Sequence, residues 1–449
     1  MRHCLYTGGA CMVLALAASA CDAGASSQSD DEAGGSTSTT SQAGTGTSSS
    51  AGTAGAVSMG GSSSSAGSTG AAGAATNMIV MNPASSYPQN TAGAKYPYPQ
   101  GHASTYCTFP IYNTDKVATA YTNWKTKFFQ GGRVIRPENG NDTVSEGIAY
   151  GMLIGVYMND KTMFDTLWAY AQTKFDSNGL MNWHLDTNGG IVSGGGATDA
   201  DEDMAYALLM AGVQWGGTYA TSAATLINAI WDHEVESGSN VLKPGDNFGG
   251  SSETDPSYFA PSYYRAFAKA TPAHPWAAVV ESSYGILGAA SGADGLVPNW
   301  VNSSGAGVTG PVTDGSGPYF GYDACRIPFR IAIDYCGNGE PRAKAYMDKL
   351  VAFYNTAGGA RLAALKDGYT TTGQNPPGAL GDYGAGMAFY GPGGVAAMDN
   401  SIPAVLSGVY TSLVLNTSTT TSSSFTYFHG SWGTLSLLAM SGNFWDMTQ

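Results

Sequence analysis

The chain has 449 residues, a net charge of −14 and only 12% charged residues, with 62 glycines and 26 tyrosines. An acidic chain without a basic cluster excludes nucleic-acid binding and argues against a polyanionic substrate. Low charge with many aromatic residues is a composition shared by secreted proteins that handle neutral sugars.

Residues 1–20 (MRHCLYTGGACMVLALAASA) carry Arg2 and His3 ahead of an apolar stretch that ends in small residues. This reads as a secretory signal, too short to span a membrane. Ala18-Ser19-Ala20-Cys21 resembles a bacterial lipobox with Cys21 as the lipidated residue. The alternative is an ordinary signal cleaved nearby. Residues 21–79 are nearly all Ser, Gly, Ala and Thr, with no aromatic residue. Such a segment cannot bury enough apolar surface to offset its chain entropy, so a disordered spacer is expected. The folded part is then residues 80–449, with a net charge of −11 once the five charged residues ahead of it are removed.

Helical periodicity recurs along that part, at 117–130, 145–158, 161–175, 200–215, 219–236, 257–270, 273–291, 326–336, 340–356, 383–397, 400–415 and 430–441. Met204, Leu208, Ala211 and Trp215 form one such stripe. Strand signals are confined to brief pieces such as Val134-Ile135. Short connections alternate with long, glycine-rich ones, as in Gly179–Gly196 and Ala293–Phe320. Twelve helices in six hairpins with unequal loops point to an all-α closed toroid with function on the face that gathers the long loops. Three cysteines fall in this part, Cys107, Cys325 and Cys336. A helix over 325–336 would separate its ends by roughly 16 Å, too far for a disulfide between those two. No zinc or CxxC spacing occurs, and neither metal nor cofactor is expected.

The densest cluster of acids is GGGATDADEDMAYALLMAG, residues 194–212. Asp199, Asp201 and Asp203 match the first positions of a calcium loop, but Met204 and Met210 stand where the turn glycine and the bidentate glutamate belong. Thr198 or Asp199 can cap the following helix, and first-turn capping accounts for Glu202 and Asp203. Asp201 shares the apolar face of Met204 and Leu208, so it points inward and needs a partner. Glu146 opens the helix of NDTVSEGIAYGMLIGVYMND, where Gly147 and Gly151 allow close approach of a neighbour. In PYFGYDACRIPFRIAIDY, Asp323 stands before a helix with Pro328 in its first turn, followed by Arg326 and Arg330. A carboxylate kept ionised by arginine and a helix N-terminus suits a general base. Aromatics beside turn residues, Trp183, Phe248, Tyr258, Tyr263, Tyr427 and Trp432, can stack on sugar rings.

In order along the chain, SEGIAYGMLIGVY, LMNWH, ATDADEDMAYALLMA, LKPGDNFGGSS, PSYFAP and YDACR resemble glycoside hydrolase family 8, and its bacterial endo-β-1,4-glucanases in particular. The resemblance implies an (α/α)6 barrel and an inverting hydrolase that needs no cofactor. It implies that Glu146 is the general acid, Asp323 the general base and Asp199 the group that holds the sugar at the cleavage point. It further implies that Tyr258 helps place the attacking water and Arg326 steadies Asp323. Trp183, Phe248, Tyr322, Tyr427 and Trp432 would line the sugar cleft. Two departures stand out: Asn247-Phe248 occupies the place of an Arg-Trp pair, and YFHGSW differs from a tyrosine-rich pattern. Both bear on sugar subsites rather than on the reaction. The expected activity is cleavage of internal β-1,4 bonds of cellulose or mixed-linkage β-glucan by a monomer that meets a membrane only through its lipid anchor. The alternatives are an endo-xylanase or chitosanase of the same family, or a carbohydrate-binding surface lipoprotein without activity.

Overall fold

The computed structural model describes residues 80–110, 112–310, 318–359, 362–377, 380–381 and 383–449. The expected signal, Cys21 and the spacer lie outside the described residues.

Among the described residues the helices come as six consecutive pairs: α1 (Thr114–Phe128) with α2 (Ser145–Tyr157), α3 (Lys161–Gln172) with α4 (Thr198–Trp215), α5 (Tyr219–Glu234) with α6 (Pro261–Ala270), α7 (Trp276–Ala290) with α8 (Ile327–Asn338), α9 (Pro341–Gly358) with α10 (Met387–Ala396), and α11 (Pro403–Asn416) with α12 (Tyr427–Met440). Odd-numbered helices are amphipathic. In α1 the buried Val117, Ala120, Tyr121, Trp124 and Phe128 fall on one stripe, which faces inward. Even-numbered helices are buried over most of their length and close into an inner ring, α2 on α4, α4 on α6, α6 on α8, α8 on α10, α10 on α12 and α12 back on α2. This is an (α/α)6 barrel, and all twelve helices match the periodicity of the sequence. Boundaries moved where proline or glycine intervenes. The segment expected at 257–270 is a short turn, Pro256–Tyr258, followed by α6, which Pro261 starts.

Close packing of α2 against both outer and inner neighbours explains its small residues. A Cβ on Gly151 would meet Leu167, Val134 and Trp124, and one on Gly147 would come within 3.0 Å of the Tyr427 hydroxyl. The strands are short: β1 (Phe129–Gln130) pairs with β2 (Arg133–Val134), and β3 (Thr143–Val144) pairs with β4 (His184–Leu185), which pairs with β5 (Ile191–Ser193), all antiparallel. β3 runs directly into α2 and so fixes where that helix begins.

The segment ahead of α1 is tied to the end of the chain. Asn443 Oδ1 accepts the Gln100 N–H at 2.6 Å, and His102 stacks on Trp445 at 3.9 Å. Cys107 is disulfide-bonded to Cys336, with Cα atoms 5.2 Å apart, and Cys325 is buried and unpaired. The pair 325–336, ruled out on helical rise, is indeed not joined. No helix among the described residues is long and apolar enough to cross a membrane.

Candidate active site

Alternating up and down, the six inner helices run in one direction, so their N-terminal ends share a rim. There the backbone N–H groups and helix dipoles favour negative charge. Three of these starts bring the expected residues together: Glu146 in the first turn of α2, Asp199 in the first turn of α4, and Asp323 with Arg326 in the turn Ala324–Arg326 that leads into α8.

Arg326 is the hub. Its Nη1 bonds Asp199 Oδ2 at 2.5 Å, and its Nη2 lies 3.4 Å from Asp323 Oδ1 and 3.5 Å from Asp255 Oδ2. Arg326 thus contacts Asp323, which the resemblance has it steady, but it is bound most closely to Asp199. The ring of Tyr258 packs against the guanidinium, 5.2 Å from its centre. Asp323 keeps some contact with water, its side chain being 16% exposed. Its Oδ2 accepts the indole N–H of Trp300 at 3.2 Å.

Glu146 is held differently. The Ser145 N–H bonds the Trp183 carbonyl at 2.9 Å, which sets the start of α2 against the β4 strand. Burial, and then the charge of Asp199, push the Glu146 carboxyl up to about 7, against the opposing pull of Arg326 and Arg136. Arg136 is already engaged by Asp142, with its Nε on Oδ1 at 2.7 Å, while His184 Nε2 lies 2.9 Å from Oδ2. Its charge is thus largely spent before it reaches Glu146. Glu146 Oε2 and Asp199 Oδ1 accept no hydrogen bond from the protein among the described residues. Buried oxygens left bare in this way call for an explanation.

The remaining expected residues divide. Tyr322 donates to Asp367 Oδ2 at 3.2 Å and meets Phe389 edge-on. Phe248 is half-buried against Trp300, with ring centres 6.4 Å apart. Trp183 is buried beside His184, and Tyr427 is buried between Phe128 and Tyr150 with its hydroxyl toward α2. Trp432 requires a correction. It is 1% exposed, edge-on to both Tyr150 and Phe329, and belongs to the barrel core, because a ring covered on both sides cannot stack on a sugar.

The acidic run also reads differently in three dimensions. Asp199 is fully buried, and no side chain caps α4, whose N-cap is Ala197. Glu202 and Asp203 are not first-turn ornaments: both lie inside the barrel. Arg330 grips Asp203 with two hydrogen bonds of 2.9 and 3.1 Å and reaches Glu202 at 3.2 Å, while Tyr264 donates to Glu202 at 3.1 Å. Asp201 does point inward, where it accepts the Met181 N–H at 3.1 Å. The acid beside it is another carboxyl, Glu234, rather than a cation. A Cβ on Gly196 would lie 2.8 Å from each of them, and burial pushes both far above the usual carboxylate range. Among the described residues no group of three or more His, Cys, Asp or Glu side chains is arranged to hold a metal.

Sequence reasoning missed Asp255, Trp300 and the Arg136–Asp142 pair. An Asp-Pro-Ser run is a turn signal, and it does mark Asp255, whose side chain caps the Pro256–Tyr258 turn. Nothing local marks Trp300 within its long loop.

The family model for glycosyl hydrolases family 8 matches residues 101–441. Endoglucanase A of Acetivibrio thermocellus is 37% identical over 380 residues, covering 80% of this chain and 75% of that protein. Endoglucanase C of Ruminiclostridium cellulolyticum is 36% identical over 362 residues, covering 77% and 75%. The solved β-1,3-1,4-glucanase of Paenibacillus sp. X4 superimposes with a TM-score of 0.70 at 30% identity, over 78% of this chain and 99% of that one. A match of this extent, on a ring of helices that converges on these carboxyl groups, establishes that the chain is a glycoside hydrolase and belongs to family 8.

Proposed function

We propose that the protein is an endo-glucanase that cleaves internal β-1,4 bonds of cellulose or mixed-linkage β-glucan with inversion. Relatives named as endoglucanases at 36–37% identity support the glucan substrate. The observation that carries the mechanism is the contrast between two carboxyl groups at one rim. Glu146 is buried and holds its proton to about pH 7, whereas Asp323 is water-accessible and faces an arginine and an indole N–H. Environments that divide two carboxyls in this way assign one as acid and the other as base.

Glu146 then protonates the leaving glycosidic oxygen while Asp323 takes a proton from water attacking the opposite face of the ring. Such a pair needs roughly 6.5–9.5 Å between carboxyls to leave room for the water. Tyr258, fixed against Arg326, borders the path of that water. Asp199 Oδ1 is free to accept from a sugar hydroxyl, and Phe248 and Tyr322, both only partly buried, offer ring faces and edges for neighbouring sugars. Hydrolysis of barley β-glucan followed by proton NMR is expected to release the α-anomer first. Initial release of the β-anomer would rule out inversion. A parallel panel of carboxymethylcellulose, β-glucan, xylan and chitosan tests the substrate; faster cleavage of xylan or chitosan would move the assignment to those alternatives.

We further propose export and lipidation at Cys21, followed by a flexible spacer that lets a monomeric catalytic domain reach extended polysaccharide. The Cys107–Cys336 disulfide supports an oxidising destination. Labelled fatty acid should enter the wild-type chain and not Cys21→Ala; equal labelling of both refutes the anchor.

A further inference from the structure

Asp255 is a third carboxyl on the hub. It is fully buried, and its Oδ1 accepts the Ser257 N–H at 2.8 Å, which caps the turn that carries Tyr258. Its Oδ2 accepts no hydrogen bond and lies 3.5 Å from Arg326 Nη2, the same nitrogen that lies 3.4 Å from Asp323 Oδ1. Among the described residues the ion pairs of both Asp199 and Asp255 end on this one guanidinium.

Three charged carboxyls crowded on one buried arginine repel one another, and a buried group in that position takes up a proton instead. Their surroundings say which one. Asp199 has the shortest bond to the arginine. Asp323 touches water and accepts from Trp300, and both stabilise a carboxylate. Asp255 has no solvent, its Ser257 donor serves Oδ1 alone, and its bare Oδ2 suits an O–H. The groups that face it are Tyr258 on its own turn, and Asp323, Cys325 and Arg326 on the turn before α8. Burial, then the charge of Asp323, holds the Asp255 carboxyl well above the usual range.

We infer that Asp255 is a positioning residue for the general base: it stands as the neutral acid beside Arg326, so that the guanidinium serves Asp199 and Asp323. This rests on Asp323 being the base, and the controls separate the two ideas. The dependence of kcat/KM on pH with β-glucan is measured for wild type, D255N, D255S and D255A. Both D255N and D255S are neutral, so either one that folds reads the charge. Because no charge is removed, their acidic limb should lie within about 0.3 pH units of the wild-type limb. Removing a real negative charge would instead lower the affinity of Asp323 for its proton, and an acidic limb displaced downward by about one pH unit or more overturns the inference. D255A removes the cap as well and should lose about tenfold or more in kcat with KM little changed, partly rescued in D255N. Wild-type kcat in a folded D255A overturns the positioning role. D323N is the control: loss of about 10²–10⁴-fold is expected of a missing general base. A fully active D323N refutes the base assignment itself, whatever the Asp255 variants do.

Discussion

Glu146 shows how one side chain acquires a function from its surroundings. Its carboxyl is lifted by burial first and by the Asp199 charge second, and Arg326 and Arg136 pull the other way. On the proposed assignment as general acid it works only while protonated, so activity should decline as pH rises through about 7. Asp199→Ala acts on this balance from two sides. It removes the negative charge that raises Glu146, and it frees Arg326, whose positive charge lowers Glu146. Both changes favour the ionised form, so the alkaline limb of the D199A pH–rate profile should move to lower pH. A profile that keeps its alkaline limb where the wild type has it would show that burial alone sets Glu146. The same bookkeeping applies to stability. The folded-state pKa of Glu146 is raised, so its contribution is fully present at low pH and is lost as pH climbs from the ordinary glutamate value toward about 7.

At the level of helices, α4 and α8 are joined twice, by Asp199–Arg326 at the rim and by Asp203–Arg330 a turn deeper, where Glu202 and Tyr264 complete the cluster. Arg330 is 3% exposed, so cutting its two-bonded pair with Asp203 leaves a buried charge with Glu202 alone, at a cost of about 3–5 kcal/mol. Asp203→Ala should therefore lower the unfolding free energy by about that much in a urea titration; a loss below about 1 kcal/mol would mean that the pair adds no more than a surface salt bridge. This deeper tie also explains what the sequence could and could not convey. The odd-numbered helices were legible because each shows water one polar face, so its apolar stripe has a 3.6-residue period. Glu146, Asp199 and Asp323 were legible as first-turn acids, and through the family resemblance. The partners of Glu202 and Asp203 were not, because first-turn acids on a solvent-facing helix and on an inner barrel helix look identical until the ring closes. Their cation stands 127 residues away. Trp432 misled for the converse reason: an aromatic residue after a glycine-containing turn is as good a core wedge as a sugar platform, and only its covered faces tell the two apart.

Across the whole molecule, the barrel must close α12 onto α2 while a long N-terminal segment lies outside the ring. The Cys107–Cys336 bond fastens that segment to the far end of α8, across 229 residues of sequence. In the chain-entropy description, tying so long a loop in the unfolded state is worth about 5 kcal/mol, and native disulfides in practice contribute about 2–5 kcal/mol. The bond is also remote from the chemistry. Ten residues separate Cys336 from Arg326, about 15 Å along the helix, so the link holds one end of α8 while the other end presents Asp323. Stability and catalysis should therefore separate in the Cys107→Ser, Cys336→Ser double variant. Its melting temperature should fall by several degrees, with the wild-type chain under reductant falling to match it. At 25 °C, where the barrel remains folded, kcat on β-glucan should stay within about twofold of wild type. A large fall in kcat without a change in melting temperature would mean that the N-terminal segment steers the start of α8 through the length of the helix, and that the two rims of the barrel are mechanically coupled.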